Sequence, residues 1–129
     1  VSESAIRWCK QRFPSSRVHY AAADLMAPPA EWRGAFDFVL EAYTLQVLPE
    51  SIRARAIVRV AQFVREGGTL VVICRGREPH DPEGELPWPL LHEEVMSFTN
   101  FGFHLIRFDD LEDDTETPRV RRFRAVFRR

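Results

Sequence analysis

Basic and aromatic side chains follow the most apolar run of the sequence. The stretch Thr69–Cys74 is almost uniformly apolar, and Arg75 and Arg77 come directly after it. Trp88 lies further on, between two prolines of the proline-rich segment 78–90. Arginine pairs with anionic groups through its planar guanidinium, so these side chains could clamp an anionic or polar substrate, with Trp88 and its segment as a lid. The alternative is a solvated, arginine-rich loop in which Trp88 is a hydrophobic plug.

Two carboxylates close strand-like stretches. Asp24 follows Arg17–Ala23 and could simply cap the next turn. Glu41 ends the apolar stretch Phe36–Glu41, where an unpaired buried carboxylate is costly, so it should reach solvent in a cleft or meet an arginine. Tyr43 follows two residues later and is either a core aromatic residue or part of that cleft.

Composition and spacing disfavour several other kinds of chemistry. The 18 basic residues balance 19 acidic ones, so no overall field draws the protein to nucleic acid or a membrane. Cys9 and Cys74 lack metal-ligand spacing and are expected to be buried free thiols, and His19, His92 and His104 fall in separate elements, so no metal site is predicted. The apolar runs are too short to cross a bilayer and the first residues lack a signal pattern, which predicts a soluble, cytoplasmic protein.

The 129 residues suit one domain over 1–129, and their periodicity predicts alternating helices and strands. A short helix is expected over residues 2–13. A longer helix begins at Pro49 and keeps an apolar stripe until Gly67-Gly68. This helix joins the strand Phe36–Glu41 to the strand Leu70–Cys74, which predicts a βαβ unit whose two parallel strands are covered on both faces.

The C-terminal part is predicted to add a helix within 90–100 and strands over Phe103–Phe108 and Val120–Phe127. Alternate residues of the last strand share one apolar face: Phe123, Ala125 and Phe127. The acidic segment 109–116 and the basic segment 119–129 flank a turn at Thr117-Pro118. We expect the two segments to pair and neutralise one another, which argues against a nucleic-acid site.

Segments in a fixed order suggest a family. They are Ala23–Leu25, Phe36–Tyr43, Thr44–Pro49, Glu66–Cys74, Arg75–Arg77, Pro87–Pro89 and Arg121–Val126. In order and spacing they resemble the class I S-adenosylmethionine-dependent methyltransferases, in particular the thiopurine-methyltransferase-like, small-molecule branch. The resemblance implies an α/β fold with a Rossmann-like sheet of strand order 3-2-1-4-5-7-6, parallel with an antiparallel C-terminal hairpin.

The resemblance also implies that the sheet is incomplete. The chain is similar to strands 3–7 of the seven, through Arg17–Ala23, Phe36–Glu41, Thr69–Cys74, Phe103–Phe108 and Val120–Phe127 in that order. Strands 1 and 2, with the Gly-rich turn and the acid that follow them, have no counterpart, so an N-terminally truncated domain is expected. Strand 3 should then either move to pair with strand 4 or leave strand 4 as an exposed apolar edge open to homodimer formation.

The function implied by the resemblance is transfer of a methyl group from S-adenosylmethionine to a small-molecule nucleophile, with this chain as the C-terminal part of the enzyme. The family pattern places Asp24 on the adenine amino group, Leu25 on the adenine ring, and Glu41, Ala42 and Tyr43 beside the sulfonium. In-line transfer depends on positioning and desolvation, so no catalytic acid or base is assigned. Because the missing strands hold most of the cofactor contacts, inactivity of the 129 residues alone is also an expectation.

Two other classes of function stay open. One is a noncatalytic α/β module that has lost the cofactor-binding half and serves assembly or binding. A nicotinamide-dependent oxidoreductase is less favoured, because the sequence has no GxGxxG motif. Failure of strands 4 to 7 to form one sheet would exclude the methyltransferase interpretation.

Overall fold

Helices and strands alternate along residues 2–115 and 117–129, which the computed structural model describes. The helices and strands are α1 (Glu3–Arg12), β1 (Phe36–Ala42), α2 (Glu50–Phe63), β2 (Val64–Arg77), β3 (Leu90–Leu91), α3 (His92–Met96), β4 (His104–Asp113) and β5 (Val120–Arg128). Short 3-10 turns occur at Ala30–Trp32, Leu45–Val47 and Ser97–Phe101. In this described part of the chain, no helix is long and apolar enough to span a membrane.

The main sheet has the strand order β1-β2-β5-β4. β1 and β2 are parallel and joined through α2, which confirms the predicted βαβ unit. β5 lies antiparallel between β2 and β4, and the two-residue β3 pairs with the end of β2. This order equals 4-5-7-6 in the family numbering, so the Rossmann-like α/β fold class is confirmed.

The predicted strand over Arg17–Ala23 is wrong. Residues 16–24 have no regular structure, and β1 pairs with β2 alone among the described strands. An extended segment becomes a strand only when a neighbour accepts and donates its backbone hydrogen bonds. Here Val18 instead donates its N–H to the Ser16 side chain and stays exposed. β1 is therefore left as a free edge.

The core lies on one face of the sheet, under α2, α3 and the following 3-10 turn. Leu70, Val72 and Cys74 of β2 are fully buried on this face, while Val71 and Ile73 between them are half-buried on the other. The predicted apolar face of β5 is confirmed, since Phe123, Ala125 and Phe127 are buried. The rest of the core is formed by ten further buried residues: Leu45, Ala56, Ile57, Val60, Ala61, Val64, Leu90, Val95, Phe98 and Phe103.

The opposite face of the sheet is open, which corrects the prediction that β1 is covered on both sides. Phe38 and Leu40 point away from the core and are 57% and 53% exposed. The predicted first helix is present as α1, with Ser2 as its N-cap, but none of its side chains is buried. Cys9 of this helix is half-buried rather than buried, whereas Cys74 is buried as predicted.

Several boundaries differ from the predicted ones. α2 ends at Phe63 rather than at Gly67-Gly68, because Val64 already has an extended backbone and pairs with Phe36. Arg129 stabilises this early end by donating from Nη1 to the carbonyls of Ala61 and Val64. The expected helix within 90–100 is divided into β3, α3 and a 3-10 turn.

The C-terminal hairpin is longer than predicted and its charges are paired. β4 runs to Asp113, and three ion pairs join it to β5: Arg121–Asp110, Arg122–Asp113 and Arg124–Asp109. These contacts confirm the predicted neutralisation of the acidic by the basic segment. Thr117 and Pro118 have no regular structure, while Glu116, the last residue of the predicted acidic segment, lies outside the described residues.

Candidate active site

The carboxyl ends of β1 and β2 lie side by side and form one edge of the candidate site. Glu41 pairs with Val72 and Ala42 with Ile73, and the N–H of Tyr43 extends the pairing by a 3.0 Å hydrogen bond to the carbonyl of Ile73. In open α/β sheets, ligands bind outside this end of the strands. The exposed residues at this edge, Ala42 and Tyr43, are therefore placed where a ligand could reach them.

Glu41 holds the turn that follows β1. Its side chain points to the core face and is 4% exposed. Oε1 accepts hydrogen bonds of 2.8 and 3.0 Å from the N–H groups of Thr44 and Leu45. Among the described residues no arginine pairs with this buried carboxylate, so neither of the two predicted environments, a solvent-filled cleft or an arginine partner, is found. Burial raises the pKa of the Glu41 carboxyl, although these two N–H donors oppose the shift. Oε2 is buried and has no hydrogen-bond partner among the described residues.

Gln46 connects this turn to two other segments. Its side-chain Oε1 accepts a 2.7 Å hydrogen bond from the N–H of Arg75, at the end of β2. Its backbone carbonyl accepts a 2.8 Å hydrogen bond from the N–H of Trp88, in the proline-rich segment. The sequence analysis missed this residue. The sequence offered one signal for it: a polar side chain between the apolar residues Leu45 and Val47. Gln46 proves to be buried, and buried polar groups need hydrogen-bond partners.

Tyr43 lies at the surface with its backbone and hydroxyl both fixed. Its φ of +61° is uncommon for a residue with a large side chain and marks a constrained position. Arg122 of β5 donates from Nη1 to the Tyr43 hydroxyl at 2.8 Å, and its guanidinium carbon lies 5.5 Å from the centre of the ring. Tyr43 is 39% exposed, so it is not a core residue, and of the two predicted positions the one at a cleft describes it better.

Asp24 and Leu25 lie on the irregular segment before the first 3-10 turn. Asp24 is exposed, and its Oδ1 accepts a 2.8 Å hydrogen bond from the N–H of Met26, which is the turn-capping arrangement considered above. Leu25 is half-buried against the core. Within the described residues, no hydrogen bond or ion pair joins Asp24 to the Glu41–Tyr43 edge.

A cavity of about 240 Å³ lies next to the turn that follows β1, between the start of α2, the proline-rich segment and α3. Arg53 and Glu94 form its floor and are joined by an ion pair of 2.5 Å. Arg77 and Trp88 are also among its lining residues. The sequence analysis named Arg77 and Trp88 but missed Arg53. That arginine precedes Ala56, Ile57, Val60 and Ala61 at helical spacing, which places it on the buried stripe of α2.

Other titratable groups offer little chemistry. Burial, reinforced by the nearby carboxylates of Glu41 and Glu94, raises the pKa of the Cys74 thiol to about 12, so this cysteine is a poor nucleophile. Arg75 binds Gln46 through its backbone, and its side chain is half-buried. Across residues 2–115 and 117–129, no three His, Cys, Asp or Glu side chains form a group that could hold a metal ion.

Comparison with known proteins identifies structural neighbours. No protein-family model matches the sequence, and no curated protein matches it significantly. Solved structures do match. An S-adenosylmethionine-dependent methyltransferase from Methanosarcina mazei has a TM-score of 0.76 at 16% identity, over 100% of this chain and 79% of that one. The 1,6-didemethyltoxoflavin-N1-methyltransferase of Burkholderia thailandensis, solved with 1,6-didemethyltoxoflavin and S-adenosylhomocysteine, gives 0.72 at 12% identity, over 100% and 58%.

The cyclase SpnF also shares the fold, with a TM-score of 0.73 at 17% identity over 97% of this chain and 60% of that one. The chain therefore spans about 60% of the length of two of these neighbours and 79% of the third. At these identities the matches show the fold, which is the Rossmann-like fold of S-adenosylmethionine-dependent methyltransferases.

Proposed function

We propose that the protein takes part in transferring a methyl group from S-adenosylmethionine to a small-molecule nucleophile, as a member of the thiopurine-methyltransferase-like branch. The chain supplies the strand 4 to strand 7 side of the enzyme. The observation that supports this most strongly is the strand order β1-β2-β5-β4 together with the exposure of Ala42 and Tyr43 at the carboxyl end of β1. The methyltransferase neighbours share this fold, and one of them was solved with S-adenosylhomocysteine.

Ala42 and Tyr43 at the β1 edge fit one wall of a site for S-adenosylmethionine. Ala42 is small and exposed, and Tyr43 presents an exposed aromatic ring. Asp24, on the irregular segment before the first 3-10 turn, has one carboxylate oxygen that no described residue occupies. When bound, the cofactor supplies an electrophilic methyl group, whose bond to sulfur breaks with the electron pair remaining on sulfur as a bond to the acceptor forms. Asp24 is proposed to accept from the adenine amino group, with the exposed part of Leu25 packed on the ring.

The chain's own residues position the reactants and exclude water. Glu41 is committed to the N–H groups of Thr44 and Leu45, so its proposed role is to fix the turn behind Ala42 and Tyr43. The Gln46 carbonyl holds the Trp88 backbone against the same turn, and the proline-rich segment is proposed to cover the edge from there. Positioning and desolvation of this kind suffice for in-line transfer to an acceptor that has lost its proton to solvent.

Ultraviolet crosslinking with methyl-labelled S-adenosylmethionine tests this assignment. We expect label in the peptide that contains Ala42 and Tyr43, and we expect unlabelled S-adenosylhomocysteine to remove it. The variant Val47→Ala, changed at an exposed position in the next turn, should be labelled as strongly as the unmodified chain. Absence of label, or label that S-adenosylhomocysteine does not displace, contradicts the proposal.

One observation favours the second candidate function, a noncatalytic assembly module. β1 presents an unpaired edge whose exposed side chains, Phe38 and Leu40, are apolar. Such an edge pairs readily with a further strand, including the same strand of a second copy. A chain that self-associates and is not labelled in the crosslinking experiment would belong to this class.

A further inference from the structure

The cavity next to the turn after β1 is built from side chains that the proposed methyl transfer does not otherwise use. Its volume of about 240 Å³ is below the 300–1,000 Å³ typical of pockets for drug-sized ligands. It is therefore suited to a small molecule. Two arginines and one tryptophan line it, together with three glutamates: Arg53, Arg77, Trp88, Glu50, Glu83 and Glu94.

The floor of the cavity is a fixed and internally neutralised pair. The Arg53 side chain is 7% exposed, and its Nη1 and Nη2 donate to Oε1 of Glu94 and to the carbonyl of Leu48. The second oxygen of Glu94 accepts a 2.8 Å hydrogen bond from the N–H of Leu91. Arg53 Nε is buried and has no partner among the described residues. The charge of Glu94 is therefore neutralised by Arg53, while the Arg53 guanidinium keeps one donor, Nε, without a described partner.

Arg77 forms one wall of the cavity and, unlike Arg53, makes no ion pair with a described carboxylate. This half-buried side chain donates from Nε to the carbonyl of Pro89 at 3.3 Å and from Nη1 to that of Asp81 at 3.4 Å. Both acceptors are neutral, and no described carboxylate lies within ion-pair distance of it. Arg121 and Arg124, by contrast, each pair with carboxylates of β4. Arg77 thus holds a positive charge at the cavity wall that has no described counter-ion, and two long hydrogen bonds to carbonyls are its contacts there.

The other two carboxylates of the lining offset this charge only in part. Glu50 and Glu83 are exposed, so solvent and salt screen them more than they screen a half-buried guanidinium. Glu50 also lies in the first turn of α2, where the helix dipole stabilises a negative charge. The least screened charge without a described counter-ion that a ligand inside the cavity meets is therefore that of Arg77.

We propose that this cavity binds the carboxylate of a small planar acid, with the Arg77 guanidinium as its partner and the Trp88 indole as a flat wall, and that this acid is the methyl acceptor. The last clause rests on the proposed function. A guanidinium fork matches the two oxygens of a carboxylate, and an indole offers apolar surface to an aromatic ring. The substrate class is thus a small aromatic or heteroaromatic carboxylic acid with a second group, such as a ring hydroxyl, that loses its proton to solvent and forms the bond to the methyl group as the bond of that methyl to sulfur breaks.

A pair of probes that differ only in charge tests the proposal. Calorimetric titration of 4-hydroxybenzoate and of 4-hydroxybenzamide into the protein, with and without S-adenosylhomocysteine, should show the acid binding about tenfold or more tightly, because a charged hydrogen-bond partner is favoured over a neutral one. Arg77→Gln should abolish this preference and Arg77→Lys should keep part of it. Glu83→Gln should strengthen binding of the acid, and Arg55→Gln, at an exposed position of α2, should leave it unchanged.

The outcomes separate the two proposals. Equal affinity for acid and amide, no binding of either, or an undiminished preference in Arg77→Gln overturns the carboxylate site. Binding of S-adenosylhomocysteine without a preference for the acid contradicts this inference and leaves the proposed function intact. Preference for the acid without any binding of S-adenosylhomocysteine supports the carboxylate site and contradicts its use in methyl transfer.

Discussion

The side chain of Gln46 and the backbone of Arg75 are joined by a 2.7 Å hydrogen bond from the Arg75 N–H to Oε1. This bond fastens the turn after β1 to the end of β2. Because the Gln46 carbonyl also accepts from the N–H of Trp88, one buried residue holds together the three segments that surround the candidate site. The side-chain amide of this residue holds the end of β2, and its backbone carbonyl holds the proline-rich segment.

Replacement of Gln46 by alanine should loosen the turn after β1 from the end of β2. The variant removes the side-chain acceptor of the Arg75 N–H, so the free energy of unfolding should fall by about 1 kcal/mol. The Arg75 amide should exchange its hydrogen with solvent faster than in the unmodified chain, whereas the Trp88 amide, which binds the backbone carbonyl of residue 46, should keep its protection. Urea unfolding and amide hydrogen exchange measure these effects. Val47→Ala, in the same turn but exposed, is the matched control, and equal exchange of the Arg75 amide in the two variants would show that the Gln46 side chain does not hold the end of β2.

Replacement of Glu41 by glutamine should change how stability depends on pH. Burial raises the folded-state pKa of Glu41 above its ordinary 4.5, so the folded chain binds this proton more tightly than the unfolded chain. Its contribution to stability is therefore complete below about pH 4.5 and falls as the pH rises through the folded-state pKa. Glu41→Gln stays neutral and keeps Oε1 as an acceptor, so its stability relative to the unmodified chain should increase from pH 4.5 towards neutrality.

Urea unfolding at several pH values from about 4.5 to 7.5 measures this difference. Glu83→Gln, at an exposed position, should give a curve parallel to that of the unmodified chain. A constant difference between Glu41→Gln and the unmodified chain would mean that Glu41 titrates normally in the folded protein.

Asp113 should show the opposite dependence. Hydrogen bonds from Thr115 and Arg122 lower the pKa of the Asp113 carboxyl to about 2. Its contribution is therefore present above its ordinary pKa of 3.8 and is lost as the pH falls towards 2. Asp113→Asn should be less stable than the unmodified chain near neutral pH, and the gap should close in acid. Thermal unfolding checks this, with the exposed Glu112→Gln as control; a gap that persists at pH 2 would be inconsistent with the pairing.

The open edge of β1 should promote self-association. Phe38 and Leu40 expose apolar surface beside unpaired backbone groups, and we propose that two chains pair through this edge. Leu40→Lys should lower the apparent mass in sedimentation velocity towards that of the monomer at about 15.0 kDa. Val18→Lys, equally exposed but outside the sheet, should have no such effect. A monomeric unmodified chain would contradict pairing through β1.

The sequence predicted the parts of the fold that depend on local pattern. The run Leu70–Cys74 is apolar at every position, and it proves to lie within the central strand β2. The alternation of Phe123, Ala125 and Phe127 correctly predicted the buried face of β5. The predicted strand over Arg17–Ala23 was wrong because a strand forms only beside a neighbouring strand. The periodicity within a segment does not reveal whether such a neighbour is present.

The candidate site was predicted less completely than the fold. Arg77 and Trp88 were identified because two arginines and a tryptophan between prolines stand out after an apolar run. The floor pair of Arg53 and Glu94 joins residues 41 positions apart, and a contact of this kind is invisible in a single sequence. Gln46 was missed because its partners are backbone groups, which are the same at every residue.

Calorimetric titration of S-adenosylhomocysteine into the protein tests the central claim most directly. We predict micromolar binding that is weakened by Asp24→Ala and abolished by Ala42→Trp, which fills the exposed edge at the end of β1, while Val47→Trp leaves it unchanged. Folding of each variant is checked by its urea midpoint. No binding by the folded, unmodified chain, or binding that both Asp24→Ala and Ala42→Trp leave intact, would contradict a cofactor site at this edge and favour the assembly module.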